Sequence, residues 1–244
     1  MSSTKHLSIQ LVDVNHQRFE AEIRLLDVKD IDKITKLEKT VIDSLPDKSS
    51  YFPEPSGVFE DSLKGNGVVL GCFVGFELIA FRSIWFPKDS PYNLGLDIGL
   101  VNRKDLESVA HLERTCVHPR FRGNRLQITM TDLAVQLAVD RNYTIFLCTI
   151  APGNYASMTD KFHAGMVICR LLKKYGGLDR YLFYKNIERP FSDYDLSNGL
   201  KTSINSLDIQ RQYQTLAQSD TYGFSLTKSD AAIDLNFVTI SRTD

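Results

Sequence analysis

Residues 117–127 read VHPRFRGNRLQ. They close a short strand-like run, HLERTCV at 111–117, and lead into a stretch with helical spacing that begins near Leu126. Arg114, Arg120, Arg122 and Arg125 all fall within this neighbourhood. A strand that turns sharply into a helix leaves the first helical N–H groups without partners, and the helix dipole adds partial positive charge there. Gly123 permits an unusual backbone conformation, Pro119 fixes the approach, and guanidinium groups offer paired donors to phosphate oxygens. The stretch therefore predicts an anion site whose natural guest is a pyrophosphate. The competing reading is a basic surface turn that is merely solvated.

Composition bounds the rest. With 29 basic against 30 acidic residues in 244, no global positive field exists to drive nucleic-acid binding, so an anion site has to be a local concentration of charge. Cys72, Cys116, Cys148 and Cys169 form no CxxC pair, and three of them lie in apolar runs. They read as small buried hydrophobes in a reducing compartment, not as a disulfide frame or a zinc site. The most apolar window, residues 67–81, contains Glu77 and three glycines and is too short to span a bilayer. The N-terminal residues lack the apolar core of a signal peptide. A cytoplasmic protein is expected.

Alternation in residues 7–14 and 18–26, around the polar turn Asn15, His16 and Gln17, predicts an opening hairpin. Ile31, Ile34, Leu37, Val41 and Leu45 follow helical spacing. Residues 46–58 form a proline-rich loop carrying Tyr51 and Phe52. Residues 68–86 split at Gly75 into two strands, and the polar segment 87–108 reads as an insertion. Met130, Leu133, Leu137 and Ala138 mark one face of a helix from Leu126 to about Arg141. Strands over 143–150, 166–172 and 180–186 surround a helix from Asn154 to about His163. The last fifty or so residues hold a helix through Ile209, Tyr213, Leu216 and Ala217 and a strand through Ile233, Leu235 and Phe237. Strands and helices alternate through the middle, so the class is α/β (α+β) with one mixed sheet.

The order of these pieces resembles the acyl-CoA-binding core of the GNAT N-acyltransferase superfamily. The motif residues that match are Val117, Pro119, Phe121, Arg122 and Gly123, then Asn154, Ser157, Gly165 and Met166. The resemblance covers residues 21–187. It implies a central mixed, splayed β-sheet flanked by helices on both faces, in a domain over 1–187 that opens with the N-terminal hairpin and has its core at about 21–187. Residues 188–244 would be a C-terminal extension on the same domain. It also implies acetyl-CoA or another acyl-CoA as co-substrate. Cys116 and Val117 would pair with the pantetheine arm by their backbone, as an added strand pairs with a sheet edge. The phosphates would lie over Arg122, Gly123, Asn124, Arg125, Leu126 and Gln127, with Asn154 near the arm. Two positions depart from the family pattern: Arg125 and Gln127 stand where glycines are usual, which narrows the amide cradle unless Arg125 replaces the lost contacts with a charged one.

Acyl transfer from a thioester to an amine needs the amine unprotonated and the developing oxyanion held. Glu113 stands where many members of the superfamily place a general base. Strand alternation sets it on one face with His111 and Thr115, and an apolar surround raises a carboxyl pKa. A plain salt bridge is the alternative for Glu113, as a structural role is for His111, which otherwise could relay a proton. Many relatives carry a tyrosine acid on the helix after the conserved Asn. Here Lys161, with Phe162 and His163, occupies that offset, and a solvated helix end explains these residues as well. The acceptor, a small-molecule or peptide amine, would be shaped by the Tyr51 and Phe52 loop and the 87–108 segment, with Asp97 as partner for a cationic amine. The extension could cover the acceptor cleft or form a subunit contact in a homodimer. Rival readings are a long-chain N-acyltransferase fed by an acidic acyl-carrier protein docked on the arginines, and an acyl-CoA-binding module without chemistry.

Overall fold

The computed structural model describes residues 7–45, 57–191 and 199–240. The chain folds into two compact units. One comprises Met1–Lys88 and Ala110–Tyr143, the other Asp89–Val109 and Thr144–Asp244.

In the first unit five strands pair antiparallel in sequence order. β1 (Leu7–Val12) and β2 (Arg18–Leu25) form the expected opening hairpin, with Val12 opposite Arg18. The hairpin turn is closed by the Asp13 carboxylate, which accepts the amides of Asn15 and Gln17, each at 2.9 Å. β3 (Gly67–Val74) and β4 (Glu77–Trp85) follow, split at Gly75 as the sequence implies, and β4 then pairs with β5 (Val109–Val117). Helix α1 (Ile31–Asp43) places Ile34, Leu37 and Val41 in a core with α2 (Val58–Asp61) residue Phe59, Val69, Phe81 and Cys116. Burying each of the larger of these side chains contributes roughly 1.5–3 kcal/mol. The loop residues Tyr51 and Phe52 lie outside the described residues.

Helix α4 (Leu126–Val139) packs on β3 and β4 through Leu126, Met130, Thr131, Ala134 and Ala138. This corrects the face predicted from sequence. Leu133 and Leu137 are only half-buried, and the alanines at 134 and 138 line the contact instead. Small side chains let the helix axis approach the sheet, so the closest face is not the bulkiest one.

In the second unit the strand order is β6 (Ile145–Ile150), β8 (Leu178–Asn186), β7 (Val167–Lys174), β10 (Thr221–Lys228), β11 (Ile233–Thr239) and β9 (Leu200–Asn205). The pairs within this unit are antiparallel. β9 and β10 are strands that the sequence reading did not resolve. β10 joins β7 at Gly223 opposite Ile168, where a side chain on residue 223 would meet Ile168 at 3.2 Å. The segment 87–108 is more than a polar insertion. It contains a 3-10 turn at Leu96–Ile98 and α3 (Arg103–Glu107), the latter capped by the Asn102 side chain on the Lys104 amide at 3.0 Å. Leu94 reaches a core shared with Val109, Ile145, Leu147, Cys169 and Leu182. Helices α5 (Tyr155–His163) and α6 (Ile209–Leu216) complete the unit.

Candidate functional site

Glu113 sits at an irregularity of β5. Arg82 pairs with Thr115, but two residues further along β4 Ile84 pairs with Leu112, so Glu113 and Arg114 together oppose the single residue Ser83. This β-bulge is fastened by the Ser83 hydroxyl, which accepts the Arg114 amide at 3.0 Å. An extra residue reverses strand alternation beyond it. His111, opposite Trp85, therefore shares its face with Cys116, opposite Phe81, while Thr115 looks the other way with Arg82. The single face predicted for His111, Glu113 and Thr115 is corrected accordingly.

The His111 ring is almost fully buried, and its Nδ1 lies 3.2 Å from Glu113 Oε1. The Glu113 side chain keeps 23% of its surface exposed, and its Oε2 meets no partner among the described residues. Edge-to-face contact with Trp85, ring centroids 5.4 Å apart, fixes the imidazole. Trp85 in turn donates its indole N–H to Asp61 Oδ2 at 2.9 Å. The Asn66 amide on Asp61 holds that carboxyl below its ordinary range; burial works against this, and Trp85 adds to it. Sequence reasoning missed Ser83, Trp85 and Asp61. Only strand register brings them to residues 111–114, and no local motif signals register.

The four arginines divide. Arg114 pairs with Glu38 of α1 and lies over the Phe59 ring. Arg120 pairs with buried Asp13 at 2.8 Å and stacks on Phe19 and Phe121. Burial raises the Asp13 pKa, but the Gln17 amide and Arg120 outweigh it and hold the carboxyl below its usual value. These two arginines hold the fold. Arg122 is exposed and touches only the Ser44 hydroxyl, at 2.8 Å, among the described residues. Arg125 is exposed and its guanidinium meets no partner among the described residues.

Around these two the backbone opens. Gly123 has φ +86 and Arg125 φ +57, so two left-handed residues bend the chain into α4. Thr129 is the first residue to close a helical bond, its amide donating to Arg125 O at 3.0 Å. The amides of Gly123, Asn124, Arg125, Leu126, Gln127 and Ile128 meet no acceptor among the described residues, and no side chain caps the helix. The Asn124 side chain is committed elsewhere: it exchanges two hydrogen bonds with the Val12 backbone, at 2.9 and 2.7 Å. Asn124 can thus offer only its amide. Cys116 and Val117 pair with Phe81 and Ala80 along β4, Leu126 is buried, and Gln127 is half-buried.

Asn154 belongs to the second unit. Its Oδ1 accepts the Ser157 amide at 3.2 Å and so caps α5, and its Nδ2 has no partner among the described residues. Lys161 is not at a solvated helix end. Its side chain is 3% exposed and ion-paired with Asp160, itself 6% exposed, whereas His163 is exposed. Asp97 is likewise engaged, by Lys174 at 2.6 Å. All four cysteines are free and buried, and burial pushes the Cys72 and Cys169 thiols up to about 12. Among the described residues no cluster of His, Cys, Asp and Glu could hold a metal ion. No helix among them is long and apolar enough to cross a membrane.

No protein-family model matches the chain, and no curated protein matches its sequence. Solved structures do. The ribosomal-protein-alanine N-acetyltransferase from Brucella melitensis aligns with a TM-score of 0.51 at 16% identity, over 67% of this chain and 98% of that one. The ribosomal-protein-S18-alanine N-acetyltransferase from Escherichia coli aligns at 0.51 and 12% identity, over 71% of this chain and 97% of that one. The yncA structure from Salmonella typhimurium, solved with its cofactor acetyl-CoA, aligns at 0.50 and 13% identity, over 68% of this chain and 94% of that one. This chain has the GNAT fold. Nearly the whole of each of these three structures aligns with this chain. At these identities the likeness is one of fold.

Proposed function

We propose that the protein is an acyl-CoA-dependent N-acyltransferase, in its simplest form an N-acetyltransferase, with Glu113 as general base. The observation that carries this reading is the run of six successive amides from Gly123 to Ile128, left without acceptors beside the open guanidinium of Arg125. Such a row at a helix start holds phosphate oxygens through both its N–H groups and the helix dipole. Arg125, bulkier than the glycine usual at its position, is exposed, and its guanidinium has no partner among the described residues.

In the proposed reaction the amine nitrogen attacks the thioester carbon. Glu113 Oε2 takes the amine proton, directly or through water. The C–S bond then breaks, and the departing thiolate takes a proton from solvent. Arg122, Gly123, Asn124, Arg125, Leu126 and Gln127 would hold the nucleotide end, and the backbone of Cys116 and Val117 the pantetheine arm.

The test is thiol release from acetyl-CoA across a panel of amines. Peptides with N-terminal alanine belong in the panel, because the Brucella and E. coli neighbours are named for that acceptor. Activity that falls by about 100-fold or more in E113Q supports the reading; turnover indifferent to E113Q removes the base. Consumption of acyl groups from an acidic carrier protein, but not from acetyl-CoA, would move the donor assignment to the carrier. Tight acyl-CoA binding without turnover on any amine would leave a binding module.

A further inference from the structure

A buried imidazole is costly unless its ring nitrogens find polar partners. His111 is 2% exposed, wedged edge-on against Trp85, and its Nδ1 is aimed at Glu113 Oε1 at 3.2 Å. An ionised carboxylate can only accept hydrogen bonds, so the hydrogen in this contact sits on Nδ1. Trp85 is itself anchored by its indole hydrogen bond to Asp61, and the bulge opposite Ser83 fixes where Glu113 leaves the strand. One carboxylate oxygen is thus held from within the core, while the other has no partner among the described residues.

From this geometry we infer that His111 is the positioning residue for Glu113, locked as its Nδ1–H tautomer by the Glu113 carboxylate and by Trp85. The inference rests on the general-base role proposed above. It assigns His111 no proton-relay duty. The proton taken from the amine goes to Oε2, and the Nδ1 hydrogen stays on the imidazole throughout, strengthening neither base nor leaving group but confining the carboxylate to one orientation.

The experiment combines kinetics with imidazole NMR. H111L should lower kcat by about 10- to 100-fold while the KM for acetyl-CoA stays within about threefold, because a misdirected base slows the chemical step without touching the phosphate cradle. H111N, whose side-chain N–H reaches to where Nδ1–H stood, should recover to within about fivefold of the parent. H111L combined with E113Q should be no slower than E113Q alone, as expected of residues acting as one unit. Equal losses in H111N and H111L, or additive losses in the double variant, overturn the inference. A second readout needs no turnover. In the 15N-histidine-labelled parent, the His111 resonance, identified by its disappearance in H111N, should show protonated Nδ1. A proton on Nε2 alone overturns the inference even if H111L fails to fold. A parent chain inert on every amine removes the acyltransfer reading, whereas the tautomer still decides whether Glu113 holds His111.

Discussion

Two strand-to-helix connections in this chain are built on opposite plans. Between β5 and α4 the helix starts at Arg125, a left-handed residue with no side-chain cap, and six amides are left open. Between β6 and α5 the helix starts at Asn154, whose side chain accepts the Ser157 amide and closes the turn on itself. Two other helices, α3 and α6, follow the second plan, with Asn102 and Asp208 as caps. A helix start is ordinarily satisfied by its own sequence. Helices α1 and α2 also start without a side-chain cap; what sets the α4 start apart is the pair of exposed arginines beside its open amides.

Substitutions can break this contrast, and the largest effect is expected inside α5. Replacing Lys161 by Met leaves Asp160 buried without its cation, one of whose oxygens already lacks a partner. Loss of one member of a buried pair costs about 3–5 kcal/mol, to be read as a lower midpoint in urea denaturation. At the open turn, R122E combined with R125E should raise the acetyl-CoA Kd by about 10- to 150-fold, from the loss of about 1.5–3 kcal/mol of charge-assisted contact. Calorimetry would also show a weaker salt dependence of binding. Stability should barely change, since neither side chain packs in the core. At the closed turn the pattern inverts: N154A should cost about 1 kcal/mol of stability through the lost cap, read as a fall of a few degrees in Tm.

The smallest effect concerns acid. Asp13 is held below its ordinary pKa by the Gln17 amide and Arg120, and Asp30 by Arg24, with burial opposing in both cases. A depressed carboxyl pKa adds stability above the unfolded value of about 3.9 and loses it as pH falls through the folded value. D13N should therefore be less stable than the parent at pH 7 and should lose less between pH 5 and pH 3. Denaturation at those three pH values would decide it.

Much of this was legible in the residues themselves. The alternation at 7–14 and 18–26, the three-and-four spacing from Ile31, the break at Gly75 and the turn at Gly123 each follow from a period or a backbone preference that neighbouring residues impose. Asn154 was visible as a helix start for the same reason. What was not legible depended on partners far along the chain. The fate of each arginine is the clearest case: four guanidinium groups of the same chemistry lie within twelve residues, yet Arg114 and Arg120 are taken by Glu38 and Asp13 while Arg122 and Arg125 stay outward. Lys161 shows the same limit, because a lysine near a helix end reads as solvated until the packing around it is known.

The sequence by itself determined where strands turn into helices, since glycine freedom, proline restriction and hydrophobic period act over a few residues. Only the tertiary structure decided that Glu113 stands on a bulge facing Ser83, that His111 and not Thr115 shares its side, and which arginines stay exposed. Those outcomes depend on register between strands about thirty residues apart, where a shift of one residue exchanges every side chain between the two faces.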